Sequence, residues 1–215
     1  MVIPRSWKDA DAAECARNFL ARRAPRRAAI RELMKELVGD APYARRCAAD
    51  LARRVSAREP GVLCHYADVL IDLHAECPRE QWQSRGYLAL AAALNATTHL
   101  QRERLEPLIR MLLEDERVAL RAIAMEAFAI LAVAEPGLRD EALLLVERSR
   151  HDANAAIRAR GRRMLPALRM AEVRTAEAAT ALRVGLELSK TGAARRTVAS
   201  QGVPRPFSLM RKEMR

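Results

Sequence analysis

Four arginines, Arg46, Arg85, Arg121 and Arg158, stand 39, 36 and 37 residues apart, and each lies in a similar setting. AIRELMKELVGD (29–40) places Ile30, Leu33, Met34, Leu37 and Val38 on one face of a helix. RLEPLIRMLLED (104–115) repeats those offsets with Leu105, Leu108, Ile109, Leu112 and Leu113. Both runs end on Asp (Asp40, Asp115), and six residues beyond each comes the Arg. HDANAAIRARG gives the same step from Asp152 to Arg158, whereas Arg79 stands at the Asp position before Arg85. The tripeptide Glu-Pro-Gly opens first helices at 59–61 and 135–137. A helical period nested inside a longer repeat predicts stacked helix pairs, each unable to bury its apolar stripe alone.

An acid and a base held for catalysis would not recur at a fixed interval. The Asp–Arg step therefore reads as a staple. The Asp is expected to cap the second helix of its pair, and the Arg of a stacked neighbour to reach that Asp. The result would be a ladder of charge-assisted hydrogen bonds.

These residues resemble the HEAT-repeat family, whose units carry a Pro in the first helix, an Asp eight residues on and a basic residue six further. Pro107, Asp115 and Arg121 match all three marks. The first and fourth repeats keep Asp and Arg, and the second keeps Arg85 alone. The resemblance covers roughly residues 25–169. It implies an all-α fold, an α-α superhelix, here a short HEAT-like solenoid of about four helix pairs (25–58, 59–99, 101–134 and 136–169). An N-terminal capping segment (1–24, helix 7–23 begun at Ser6) would precede it. A C-terminal helix (170–190) and a basic, flexible tail (191–215) would follow. The family also implies a scaffold that binds partners on its concave, second-helix side.

Composition agrees with helices. Half the residues are apolar but only 4% aromatic, and Gly (8) and Pro (10) are scarce. No two glycines lie close enough for a phosphate-cradling or dinucleotide loop. Cys15, Cys47, Cys64 and Cys77 form no CxxC pair and read as reduced core residues. The start becomes acidic within ten residues and has no apolar signal segment, and the Ala-rich run 86–101 is too polar to span a bilayer. A cytoplasmic protein without membrane association is expected. The net charge of +11 divides into +6 over 1–60, −4 over 61–150 and +9 over 151–215. Basic ends around an acidic middle do not form one continuous track for a nucleic-acid backbone.

Candidate chemistry is sparse. His65, Asp68, Asp72 and Glu76 line one face of a helix, yet alternate members lie about 10 Å apart, too far for one ion. They read as a solvated face, with no metal and no cofactor expected. The second helices GYLALAAALNATTHL and VALRAIAMEAFAILAVA are apolar or small almost all round. Either they are central and buried, or part of them is an open apolar strip marked by Tyr87, Asn95, Met125 and Glu126. The terminal second helices are basic, with Arg45, Arg46, Arg53, Arg54 and Arg58 in the first pair and Arg158, Arg160, Arg162, Arg163 and Arg169 in the fourth. Stacking accounts for Arg46 and Arg158, and the others suit phosphates or an acidic peptide. Tyr87, Asn95, Met125 and Glu126 with Arg53, Arg54, Arg162 and Arg163 are the expected partner-binding set, and no catalytic residue is expected. The segments RRTVAS and PRPFSLM of the tail suit a kinase substrate and a short docking motif.

The expected function is a non-enzymatic scaffold for a protein or peptide partner, in particular an acidic one. The alternative is a nucleic-acid-binding protein similar to the HEAT-like DNA alkylation repeat glycosylases. Trp7 and Trp82 fall at helix starts, not mid-groove, which counts against that alternative. A lyase similar to the bilin lyases rests on analogy of fold alone.

Overall fold

The computed structural model describes residues 26–200, and these are all-α, with eight α-helices and no strand among the described residues. They form pairs: α1 (Arg26–Val38) with α2 (Pro42–Arg58), and α3 (Ala67–Glu76) with α4 (Trp82–Asn95). Next come α5 (His99–Leu113) with α6 (Val118–Ala134), then α7 (Arg139–Ser149) followed by α8 (Ala155–Ser200). Second helices pack in series, α2 on α4 and α4 on α6, and the first helix α3 packs on α5. Short 3-10 turns, Cys64–Tyr66 and Pro136–Leu138, lead from the two Glu-Pro-Gly corners into α3 and α7. At the first corner Gly61 has φ +80°, a left-handed conformation that a side chain would strain.

The chain divides into two compact units between Glu172 and Val173. The first contains the helix pairs and their core. In the second, the described side chains are solvent-exposed, and Thr180 Oγ1 donates to the Ala176 carbonyl at 2.8 Å. Helix α8 runs without a break through 169/170 and past 191, so it crosses both C-terminal boundaries expected from sequence. One Gly, at 192, is a tolerable helix residue at a cost of about 1 kcal/mol and no stop signal. The expected capping helix 7–23 and the motif PRPFSLM lie outside the described residues.

The apolar stripes meet in one core, which includes Leu37, Leu51, Leu70, Leu88, Leu105 and Phe128, each fully buried. Each such side chain contributes about 1.5–3 kcal/mol of transfer free energy. Gly86 sets the spacing of α4 on α6, since a Cβ there would come within 2.9 Å of Leu120 Cδ1. Helix α6 is buried from Ala122 to Ala129 on every side, so the open apolar strip does not form and the central, close-packed arrangement holds.

The staple differs from expectation in its chemistry. Arg121 Nη1 donates to the main-chain carbonyls of Asp115 (2.8 Å) and Glu116 (2.9 Å), not to a carboxylate. Arg158 Nη1 does the same with Asp152 (2.7 Å) and Ala153 (2.8 Å). Arg46 leaves Asp40 altogether and donates to Gln83 Oε1 at 3.0 Å. The carboxylates bracket the corner instead of capping a helix. Asp115 Oδ1 accepts from Arg117 N (2.9 Å) and Asp152 Oδ1 from Asn154 N (2.7 Å). Helix ends leave carbonyls without partners, and a guanidinium with five donors can serve two of them at once. Arg45 on Gly39, Arg102 on Ala96 and Thr97, and Arg139 on Ala132 and Val133 repeat this use of arginine at other helix ends.

Besides Arg46 on Gln83, contacts between helix pairs come from other residues. Arg104 spans Asp68 and Asp72, with both N–O distances 2.6 Å, which closes part of the face considered for a metal. Arg110 pairs with Glu141 at 2.5 and 2.7 Å and lies over the Phe128 ring. Burial of His74, and secondarily the nearby Arg85 charge, pulls its pKa down to about 4, against the opposing effect of its contact with the Arg85 carbonyl (Nδ1 to O 3.0 Å). It is therefore a neutral core residue at pH 7.

Candidate functional site

The second helices bring one charged row together. On α2, Asp50 precedes Arg53 and Arg54 by three and four residues, so all three share a face. Asp50 Oδ1 accepts from Arg53 Nε (3.1 Å) and also contacts Arg53 Nη2, and its Oδ2 accepts from Arg54 Nε at 2.8 Å. Held this way, the Arg53 guanidinium lies 5.0 Å from the centre of the Tyr87 ring of α4. Such a cation–π contact contributes about 0.5–2 kcal/mol, more as it is desolvated.

On α6, Glu126 is nearly buried, with its side chain 12% exposed. Its Oε1 accepts from Arg163 Nη2 of α8, and its Oε2 lies 3.6 Å from Arg160 Nε. Arg160 belongs to the same group as Arg53 and Tyr87. Burial depresses its basicity most, Glu126 opposes that effect, and the charges of Arg163 and Arg53 depress it further. A guanidinium does not lose its proton in a protein, so the depression signals a poorly solvated cation with too little negative charge nearby. Arg160 Nη1 is buried and makes no hydrogen bond. Among the described residues of this row, Arg53, Arg160 and Arg163 thus meet the carboxylates of Asp50 and Glu126, and Arg54 shares Asp50.

Of the eight residues read from sequence, Arg53, Arg54, Tyr87, Glu126 and Arg163 fall in this row. Arg162 is exposed on α8. Met125 is buried in the core. Asn95 is a correction: it is 1% exposed and its amide is used internally. Its Oδ1 accepts from Leu63 N, and its Nδ2 donates to Ser56 Oγ and to the Ala91 carbonyl, all at 2.7 Å. It cannot meet a partner while those bonds persist. Asp50 was missed as a site residue, and Arg160 was read only as one of several basic residues suited to a phosphate or an acidic peptide, outside the expected binding set. The i, i+3, i+4 spacing of Asp50 with two arginines was the available signal for the first.

A second feature is an open depression of about 300 Å³ lined by Tyr43, Arg46, Trp82 and Gln83 among others, with Arg46 stacked over Tyr43 at 5.1 Å. Among the described residues no group of three or more His, Cys, Asp or Glu could hold a metal. No described helix is long and apolar enough to cross a membrane.

The class that these observations define is an all-α protein of paired helices with an arginine-rich face on its second helices. The chain matches no protein-family model, and neither a curated protein nor a solved structure is significantly similar to it.

Proposed function

We propose that this protein is a non-enzymatic scaffold of the HEAT type, which binds an acidic segment of a protein partner along its second-helix face. The observation that carries the reading is the convergence of Arg53, Tyr87, Glu126, Arg160 and Arg163, drawn from four helices, on one partly exposed row with excess positive charge. Carboxylates of a partner complement this row, because guanidinium–carboxylate pairs are strong and directional when partly desolvated. Arg53 covers one face of the Tyr87 ring and so takes up part of the surface a nucleobase would stack on, which favours a peptide over the nucleic-acid alternative. Cys47, Cys64 and Cys77 are free thiols, which suits the reducing cytoplasm.

The test is fluorescence anisotropy of a labelled Glu-rich peptide titrated with the full chain. Saturable binding is expected, weakened about tenfold or more by Arg53→Glu with Arg163→Glu. Arg104→Gln, on a first helix, should leave it unchanged. Equal binding by the double variant, with helicity retained, contradicts the proposal. Duplex DNA or RNA that binds with a steep salt dependence, in place of the peptide, would favour the alternative.

A further inference from the structure

We infer that Glu126 is a resident counter-anion, occupying between Arg160 and Arg163 the place that a compact oxyanion of the ligand, carboxylate or phosphate, takes on binding. This rests on the second-helix face being the binding face.

Glu126 is the only acidic residue of α6, a helix otherwise given to packing. A nearly buried carboxylate costs several kcal/mol in desolvation unless it is well paired. Its pairing is incomplete. Arg163 makes direct contact, but Arg160 Nε stands at 3.6 Å, beyond hydrogen-bond reach, and Arg160 Nη1 has no partner at all. One carboxylate offers two oxygens to two guanidiniums that together present ten donors. An incoming oxyanion supplies the missing acceptors and offsets the unbalanced positive charge of the row. Arg163, with 59% of its side chain exposed, is free to follow it outward. The ligand therefore competes with Glu126, and wild-type affinity is held below what the arginines alone would give. Removing the internal carboxylate should raise affinity for external anions, the reverse of what an ordinary attractive contact would do.

The experiment compares the wild type with Glu126→Gln, which keeps the shape and removes the charge. Inorganic phosphate and the Glu-rich peptide are the two probes, each measured against chloride at equal ionic strength. Both variant affinities should rise about tenfold, phosphate should raise its melting temperature more than that of the wild type, and adding Arg160→Gln should cancel the gain. A gain for phosphate alone identifies phosphate as the ligand chemistry, and a gain for the peptide alone identifies carboxylate. If Glu126→Gln does not fold in chloride, Glu126→Asp, with its carboxylate withdrawn by one methylene, should show a smaller gain for the same probes. No gain in any folded variant, or a gain that survives Arg160→Gln, overturns the inference. Peptide binding by the wild type through Arg53 and Arg163, without gain in the Glu126 variants, sinks this inference and leaves the scaffold reading intact. A gain in phosphate affinity with a wild type indifferent to the peptide does the opposite.

Discussion

Replacing Asn95 with alanine removes one amide from the end of α4 and breaks three hydrogen bonds of 2.7 Å. Their losses are unequal. The Ala91 carbonyl already accepts within the helix ladder, so losing its second donor costs little. Ser56 Oγ can turn to a carbonyl of its own helix, as serines in helices do, at a fraction of 1 kcal/mol. The Leu63 amide has no such recourse. It is buried in the corner between the first two pairs, and an orphaned N–H there costs about 1–3 kcal/mol. With the void left by the lost side-chain atoms, the total is about 2–4 kcal/mol. Urea unfolding followed by circular dichroism at 222 nm measures this as a lowered midpoint at constant slope. The same variant should bind the Glu-rich peptide unchanged under conditions where it is folded. Stability within about 0.5 kcal/mol of wild type, or loss of peptide binding by a folded Asn95→Ala chain, would refute the reasoning.

His74 makes stability pH-dependent. Its pKa of about 4 in the folded chain lies below the ordinary 6.5, so its contribution is complete above pH 6.5 and is lost as the pH falls toward 4. The loss is roughly 3 kcal/mol, and His74→Gln should flatten the stability profile across that window in urea titrations at stepped pH. Arg121→Ala should cost about 1–2 kcal/mol of unfolding free energy, because two corner carbonyls lose a charged donor. Arg104→Ala should change stability by less than about 1 kcal/mol despite its two short contacts, since Arg104, Asp68 and Asp72 are all well exposed. Measured together, the last two distinguish a donor to main-chain carbonyls from a surface ion pair.

Helix positions were legible because apolar residues at i, i+3 and i+4 select one period and one buried stripe, as in 29–40 and 104–115. The recurrence of Arg121 and Arg158 was legible too, but their partners were not. A six-residue step across a corner brings two residues near each other without saying which acceptor wins. Carbonyls freed by a helix end leave no mark in the side-chain sequence, so carboxylates were the visible candidates and main-chain oxygens the ones used. Asn95 was misplaced for a related reason. An amide near the end of an Ala-rich helix looks the same from sequence whether it meets solvent or, as here, an unpaired amide from the preceding corner. The charged row was half legible: Arg53 and Arg163 stood out by composition. Arg160 was one basic residue among several on its helix until the fold placed it beside Glu126, thirty-four residues away.

The most direct test observes the arginines themselves. Arginine side-chain Nε–Hε resonances of the full chain, assigned by single Arg→Lys variants, should be followed by NMR while the Glu-rich peptide is added. Shifts concentrated at Arg53, Arg160 and Arg163, with Arg104 and Arg121 unmoved, are predicted. Peptide-induced shifts that bypass those three, or no shifts at saturating peptide, would contradict the assignment of the second-helix face as the binding surface.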